Sequence, residues 1–120
     1  MATILIIDDE KPIRFTVTAM LADEGHEVLE AENGQQGIAV LEDCPVDVVV
    51  TDILMPEREG LETIMEIRRR WPDVSVIAIS GGGRTGTANY LKMAAELGAN
   101  ATLDKPFTRA ELLAELDTCL

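Results

Sequence analysis

Five short apolar runs alternate along this chain with five longer amphipathic stretches, and that alternation limits the fold more than any other feature. The runs cover residues 3–7, 27–31, 46–51, 74–79 and 101–103. The strongest places Val48, Val49 and Val50 in succession. A run without a polar face implies burial on both sides, as in a parallel sheet. Between the runs, residues 12–24, 34–41, 60–71, 88–97 and 108–119 read as helices. Ile13, Val17, Met20 and Leu21 fall on one face of the first, and Leu61, Ile64, Ile67 and Trp71 near one face of the third. Pro12 suits a first helical turn, and Gly25 and Gly98 suit helix stops. Pro45 and Pro72 close two other helices. Thr108 and Glu111 fit a capping box. Strand and helix in strict alternation predict an α/β fold, a doubly wound (βα)5 parallel sheet with helices on both faces.

The 120 residues suit one domain, 1–120, and an apolar content of 47% is enough for a core. A net charge of −12 opposes direct contact with nucleic acid or an anionic membrane, since both require clustered Lys and Arg. Cations and basic surfaces fit it better. The N-terminus lacks the basic segment and cleavage site of a signal peptide, and no apolar run approaches the roughly 20 residues that span a bilayer. The expectation is a soluble, cytoplasmic protein. Cys44 and Cys119 read as unpaired thiols. His26 is the only histidine, which excludes Ser-His-Asp triads and histidine-rich zinc sites within the chain.

In an open α/β sheet, ligands bind outside the carboxyl ends of the strands. Asp8, Asp9 and Glu10 follow the first run, Asp52 the third, Ser80 the fourth, and Asp104, Lys105 and Pro106 the fifth. A lone acid at a strand end ordinarily caps the next helix. Capping does not account for this whole set converging on one edge. Asp8, Asp9 and Asp52 repel one another unless a cation joins them. Hard oxygen donors favour Mg²⁺ or Mn²⁺ over zinc. Such an ion and Lys105 suit phosphoryl oxygens, Asp52 suits attack on phosphorus, and the Ser80 hydroxyl suits donation to a phosphoryl oxygen.

The segments Ile4-Leu5-Ile6-Ile7-Asp8-Asp9-Glu10, Asp52-Ile53-Leu54-Met55-Pro56 with Gly60 beyond, Ser80, and Lys105-Pro106-Phe107 resemble the receiver domain of two-component response regulators. The likeness covers essentially the whole chain, and its specificity lies in the order and spacing of the motifs. It implies a flavodoxin-like sheet in order 2-1-3-4-5. It implies that Asp52 accepts a phosphoryl group from a phosphohistidine on a histidine kinase or phosphotransfer protein. Asp9, Asp52 and the Leu54 backbone carbonyl would bind Mg²⁺ directly, and Asp8 through a water. Lys105 would contact the phosphoryl group, with a cis bond to Pro106, and Ser80 would swing in as the switch. The fourth helix and fifth strand are where family members often meet a target or a second copy. A receiver is no enzyme towards other substrates and catalyses only its own phosphorylation and dephosphorylation.

The sequence also departs from the family. Thr102 stands three residues before the lysine, where Tyr or Phe is usual, so the usual Ser/Thr–aromatic rotation does not carry over unchanged. Tyr90 and Phe107 are the aromatics considered for that place. Arg58 replaces a commonly apolar residue, and the glycine-rich loop after Ser80 is longer than usual. That loop lacks the Gly-Lys-Ser/Thr ending of a nucleotide-binding P-loop, so its glycines read as mobility. Leu54 and Gly82 beside the pocket imply slow to intermediate hydrolysis of the acyl phosphate. Arg68, Arg69 and Arg70 read as complements to a helix dipole, His26 as a surface loop residue, and Trp71 as core or half-buried. Two alternatives stand beside the signalling module. One is an aspartyl-phosphate phosphatase, which would want an Asp-x-Asp pattern after the first strand. The other is a phosphorylation-independent binding module of receiver fold, which Thr102 keeps in view.

Overall fold

The computed structural model describes residues 2–53, 59–81 and 87–120. Its strands are β1 (Thr3–Ile7), β2 (Glu27–Ala31), β3 (Val48–Asp52), β4 (Ser75–Gly81) and β5 (Ala101–Lys105). The helices are α1 (Lys11–Asp23), α2 (Gly34–Asp43), α3 (Glu59–Arg70), α4 (Thr87–Leu97) and α5 (Arg109–Cys119). All strand pairs are parallel, in the order β2-β1-β3-β4-β5. The strand order reverses beside β1, so β1 and β3 leave the sheet in diverging directions and open a crevice at their carboxyl ends.

Strand alternation divides the core in two. On one face Leu5, Ile7, Val49, Val76 and Ala78 meet Leu41 of α2, Ile64 and Ile67 of α3, and Ala94 of α4. On the other, Ile4, Ile6, Val48, Val50, Ile77 and Ile79 meet Val17 and Leu21 of α1 and Leu112 and Leu116 of α5. Every residue of β3 is buried, as the valine run requires.

Local signals set the helix ends. Asn33 accepts from the Gln36 N–H at 2.8 Å and starts α2. Thr108 and Glu111 form the expected capping box at α5. Gly25 follows α1 at φ +87°, a left-handed conformation that side chains resist. Pro12 sits in the first turn of α1.

Three strands run further than their apolar residues. β3 includes Asp52, β4 includes Ser80, and β5 includes Asp104 and Lys105. These side chains are therefore held by the sheet itself, not by the loops after it. The arginine run also differs from expectation. Arg68 donates to the Pro72 carbonyl and to Asn100 Oδ1, while Arg70 pairs with Glu42 and Glu66 and lies 4.4 Å over the Trp71 ring. Two of the three arginines thus tie α3 to neighbouring segments. His26 is half-buried, and its Nδ1 accepts the Ala2 N–H at 3.0 Å. Trp71 is half-buried against the first core, as its sequence suggested. Both cysteines are free thiols. Among the described residues, no helix is long and apolar enough to cross a membrane.

Candidate functional site

The polar strand ends converge at the crevice. Ile7 pairs with Thr51, Asp52 with Ile79, and Gly81 with Lys105, so the register brings Asp8, Asp52, Ser80 and Lys105 to one edge. Asp8 and Ser80 are fully buried and Asp52 is 2% exposed. Buried charges of this kind require partners, and Lys105 supplies one. Its Nζ lies 2.9 Å from Asp8 Oδ2 and 3.1 Å from Asp52 Oδ2. Glu10 Oε1 stands further off, at 3.6 Å. The bond between Lys105 and Pro106 is cis.

Asp8 is gripped on every side. Its N–H donates to the Ala31 carbonyl at 3.2 Å, and its Oδ1 accepts the Glu10 N–H at 2.9 Å. Its backbone carbonyl accepts from Arg14 Nη1 at 2.7 Å. Burial pushes the Asp8 carboxyl above the usual carboxylate range; Lys105 and the Glu10 N–H work against this, and the Asp52 charge adds to it. Burial acts downward on the Lys105 ammonium. Its bonds and attractions to Asp8 and Asp52 outweigh that and hold it above its ordinary value. Lys105 is therefore a fixed cation at neutral pH.

Asp8, Asp9, Glu10 and Asp52 each offer a carboxylate oxygen, and these oxygens all lie within 4.8 Å of one another. Among the described residues these four acids face one close ammonium, so negative charge outweighs positive there. The donors are all hard oxygens, which suits a small divalent cation. Ser80 Oγ is buried and has no hydrogen-bond partner among the described residues. A buried hydroxyl in that position keeps its capacity to donate a hydrogen bond.

The structure thus brings together Asp8, Asp9, Asp52 and Lys105, with Ser80 on the neighbouring strand. Leu54, Arg58, Gly82 and the rest of the glycine-rich loop lie outside the described residues, as does the side chain of Tyr90. Thr102 is half-buried in β5, paired with Ala78. Phe107 packs on the core that α1 and α5 cover. Thr102 alternates with Leu103 of that same core and so belongs to the opposite sheet face. Phe107 therefore does not take the place of the missing aromatic. Arg14 and the pairing role of Glu10 were not read from the sequence. Arg14 had a signal, because it is a charged residue in step with Val17 and Leu21 on the apolar stripe of α1.

A family model described as the response regulator receiver domain matches residues 4–117. The chain is 37% identical over 119 residues to the DNA-binding transcriptional regulator NtrC of Azospirillum brasilense, covering 99% of this chain and 24% of that protein. It is 37% identical over 120 residues to the phosphate regulon transcriptional regulatory protein PhoB of Pseudomonas aeruginosa, covering 98% of this chain and 51% of that one. The chain thus spans about a quarter to a half of these relatives. Among solved structures, NtrX from Brucella abortus superposes with a TM-score of 0.92 at 32% identity, over 99% of this chain and 26% of that one. A response regulator receiver domain protein from Clostridium thermocellum superposes at 0.88 with 34% identity, over 99% and 94% of the two chains.

Proposed function

Given that the chain belongs to the response regulator receiver domain family, whose members are phosphorylation-controlled signalling modules, we propose that Asp52 is its phosphoacceptor. The observation that carries this reading is the setting of Asp52. It is buried at the end of the central strand, 3.1 Å from Lys105 Nζ, and it shares the carboxylate cluster with Asp8, Asp9 and Glu10. A carboxylate oxygen of Asp52 attacks the phosphorus of a phosphohistidine. The P–N bond breaks, and its electron pair leaves with the imidazole, which takes up a proton. The donor is a histidine kinase or a phosphotransfer protein.

Each neighbour has a task that its geometry permits. Lys105, a cation at neutral pH, places its charge against a phosphoryl oxygen once Asp52 carries the acyl phosphate. Ser80 donates its free hydroxyl to a second one. By the family resemblance, Asp9, Asp52 and the Leu54 carbonyl would hold Mg²⁺ or Mn²⁺, with Asp8 acting through a water; the clustered carboxylate oxygens fit such an ion. The ion supplies charge neutralisation on the transferring group. Asp8 also keeps Lys105 in place through the bond to Oδ2.

Residues 1–120 form a single receiver domain in this reading, one that catalyses only its own phosphorylation and dephosphorylation. It acts in the cytoplasm. Its output partner is a protein target or a second copy, met through α4 and β5. Direct contact with nucleic acid does not fit a net charge of −12. Thr102 changes how phosphorylation reaches that surface, because a threonine cannot perform an aromatic side chain's inward rotation.

The test is intact-protein mass after incubation with acetyl phosphate and Mg²⁺. One added phosphoryl group in the wild type, absent in Asp52→Asn and absent in EDTA, supports the reading. An adduct that persists in Asp52→Asn refutes the assignment of Asp52.

A further inference from the structure

Arg14 is charged, yet it sits on the buried stripe of α1 and is 8% exposed. Its Nε lies 3.4 Å from Glu30 Oε1 on β2, and that side chain is 44% exposed. A half-open pair of this length is worth little and does not account for burying a guanidinium. The shorter contact is the 2.7 Å bond from Nη1 to the Asp8 carbonyl. That oxygen belongs to the peptide joining Asp8 to Asp9. Peptide planarity means that fixing the oxygen fixes the plane, and hence the direction in which Asp9 leaves β1. The β1–β2 ladder ends at Ile7, so neighbouring strands do not hold this peptide plane. Arginine suits the task because its fork reaches the peptide and Glu30 together, which a lysine ammonium cannot do.

From this geometry we infer that Arg14 is a positioning residue for the cation site. It fixes the Asp8–Asp9 peptide so that Asp9 faces Asp52 before a cation arrives, and Glu30 steadies its guanidinium. The inference rests on the reading of the acidic cluster as an Mg²⁺ site.

Charge and geometry here act with opposite signs, which makes the inference testable. Arg14 carries a positive charge close to a cation site. If only that charge mattered, Arg14→Met would bind Mg²⁺ more tightly. If Arg14 served only the fold, Arg14→Met and Arg14→Lys would lower the melting temperature and leave the Mg²⁺ Kd of the folded protein unchanged. Positioning weakens binding in both variants, by about ten-fold, the usual effect of losing a group that orients a metal ligand. The measurement is titration of Mg²⁺ alone, followed by amide NMR shifts on protein shown to be folded.

Glu30→Gln supplies a variant on an exposed side chain that is safe for folding. Hydrogen exchange at the Glu10 amide, which is bonded to Asp8 Oδ1, reads the order of the loop without metal. Faster exchange at Glu10 with no change at Val49 is expected in Glu30→Gln and Arg14→Lys. Wild-type Mg²⁺ affinity in both Arg14 variants, or unchanged Glu10 exchange, overturns the inference while leaving the cation site intact. Failure of the wild type to bind Mg²⁺ overturns the site reading and this inference with it.

Discussion

Gly60 offers a sharp test of how the fold supports Asp52. It lies in the first turn of α3, where the helix crosses the end of β3. A Cβ built there would stand 2.4 Å from Ile53 Cα, 2.6 Å from the Asp52 carbonyl oxygen and 2.8 Å from the Ile53 carbonyl carbon. Ordinary contact begins at 3.4 Å, so α3 must retreat from the strand by roughly 1 Å. All three obstacles are backbone atoms, and no rotamer change relieves them. Overpacking of this kind costs about 1–3 kcal/mol, and the rigid obstacle favours the upper end. Replacing a helical glycine by alanine returns about 1 kcal/mol at most. Gly60→Ala should therefore lose about 2 kcal/mol, or about 8 °C in Tm for a chain of this length. Gly37→Ala is the control. Its Cβ would meet Ile7 Cδ1 at 2.3 Å and Cγ1 at 2.9 Å, side-chain atoms of a buried residue that can turn about χ2, where the Gly60 obstacles cannot move at all. The side chain can give part of the distance and the helix gain offsets part of the cost, so Gly37→Ala should lose clearly less than Gly60→Ala, about 1 kcal/mol. Urea unfolding of both variants decides the matter. Because Gly60 touches the Asp52 peptide itself, the initial rate of phosphoryl uptake from acetyl phosphate should also fall by about ten-fold or more. Equal losses in the two variants, or a Gly60→Ala protein within about 0.5 kcal/mol of wild type, would refute the argument from backbone contact.

Two further outcomes follow from the site and a third from the α5 cap. Burial raises the Asp8 carboxyl above 3.8 in the folded state, so the folded protein binds the proton more tightly and loses stability as pH rises from 3.8 through the folded value. Metal-free Asp8→Asn should then be more stable than wild type at pH 7, with the gap closing below pH 3.8; urea midpoints across pH check this, and a less stable variant at pH 7 contradicts it. Ser80→Ala removes a hydroxyl that has no partner among the described residues, so the unphosphorylated variant should match wild type or gain up to about 1 kcal/mol, measured by thermal unfolding. Thr108→Ala breaks the α5 capping box and should cost about 1 kcal/mol in urea unfolding without changing phosphoryl uptake.

The alternation of apolar runs was enough to foresee five parallel strands and helices on both faces, because β1 and β3 are buried on both sides and leave no polar face to mistake, while the edge strands β2 and β5 follow from the alternation itself. β1 and β2 match their sequence-read limits. The ends of β3, β4 and β5 do not, for a physical reason. A reading by hydrophobicity stops a strand at its last apolar residue, while the hydrogen-bonded ladder continues through Asp52, Ser80 and Lys105 to hold them in the crevice. The convergence of acids at strand ends was legible, because parallel topology sends those ends to one edge. The link from Arg14 to Asp8 was not, because it depends on how α1 folds back against the end of β1. The ties made by Arg68 and Arg70 were missed for the same reason. Asn100 and Glu42 approach them only once other elements pack against α3; Glu66 is an i,i+4 neighbour of Arg70 on α3 itself, and its spacing was the one signal available.

The central claim is that Asp52 itself carries the phosphoryl group. It is tested most directly by trapping the phosphorylated protein with borohydride, which reduces an acyl phosphate to an alcohol, and mapping the peptides by mass spectrometry. The account predicts homoserine at position 52, formed only after treatment with acetyl phosphate and Mg²⁺. Homoserine at position 8 or 9 instead, with an intact aspartate at 52, would contradict it.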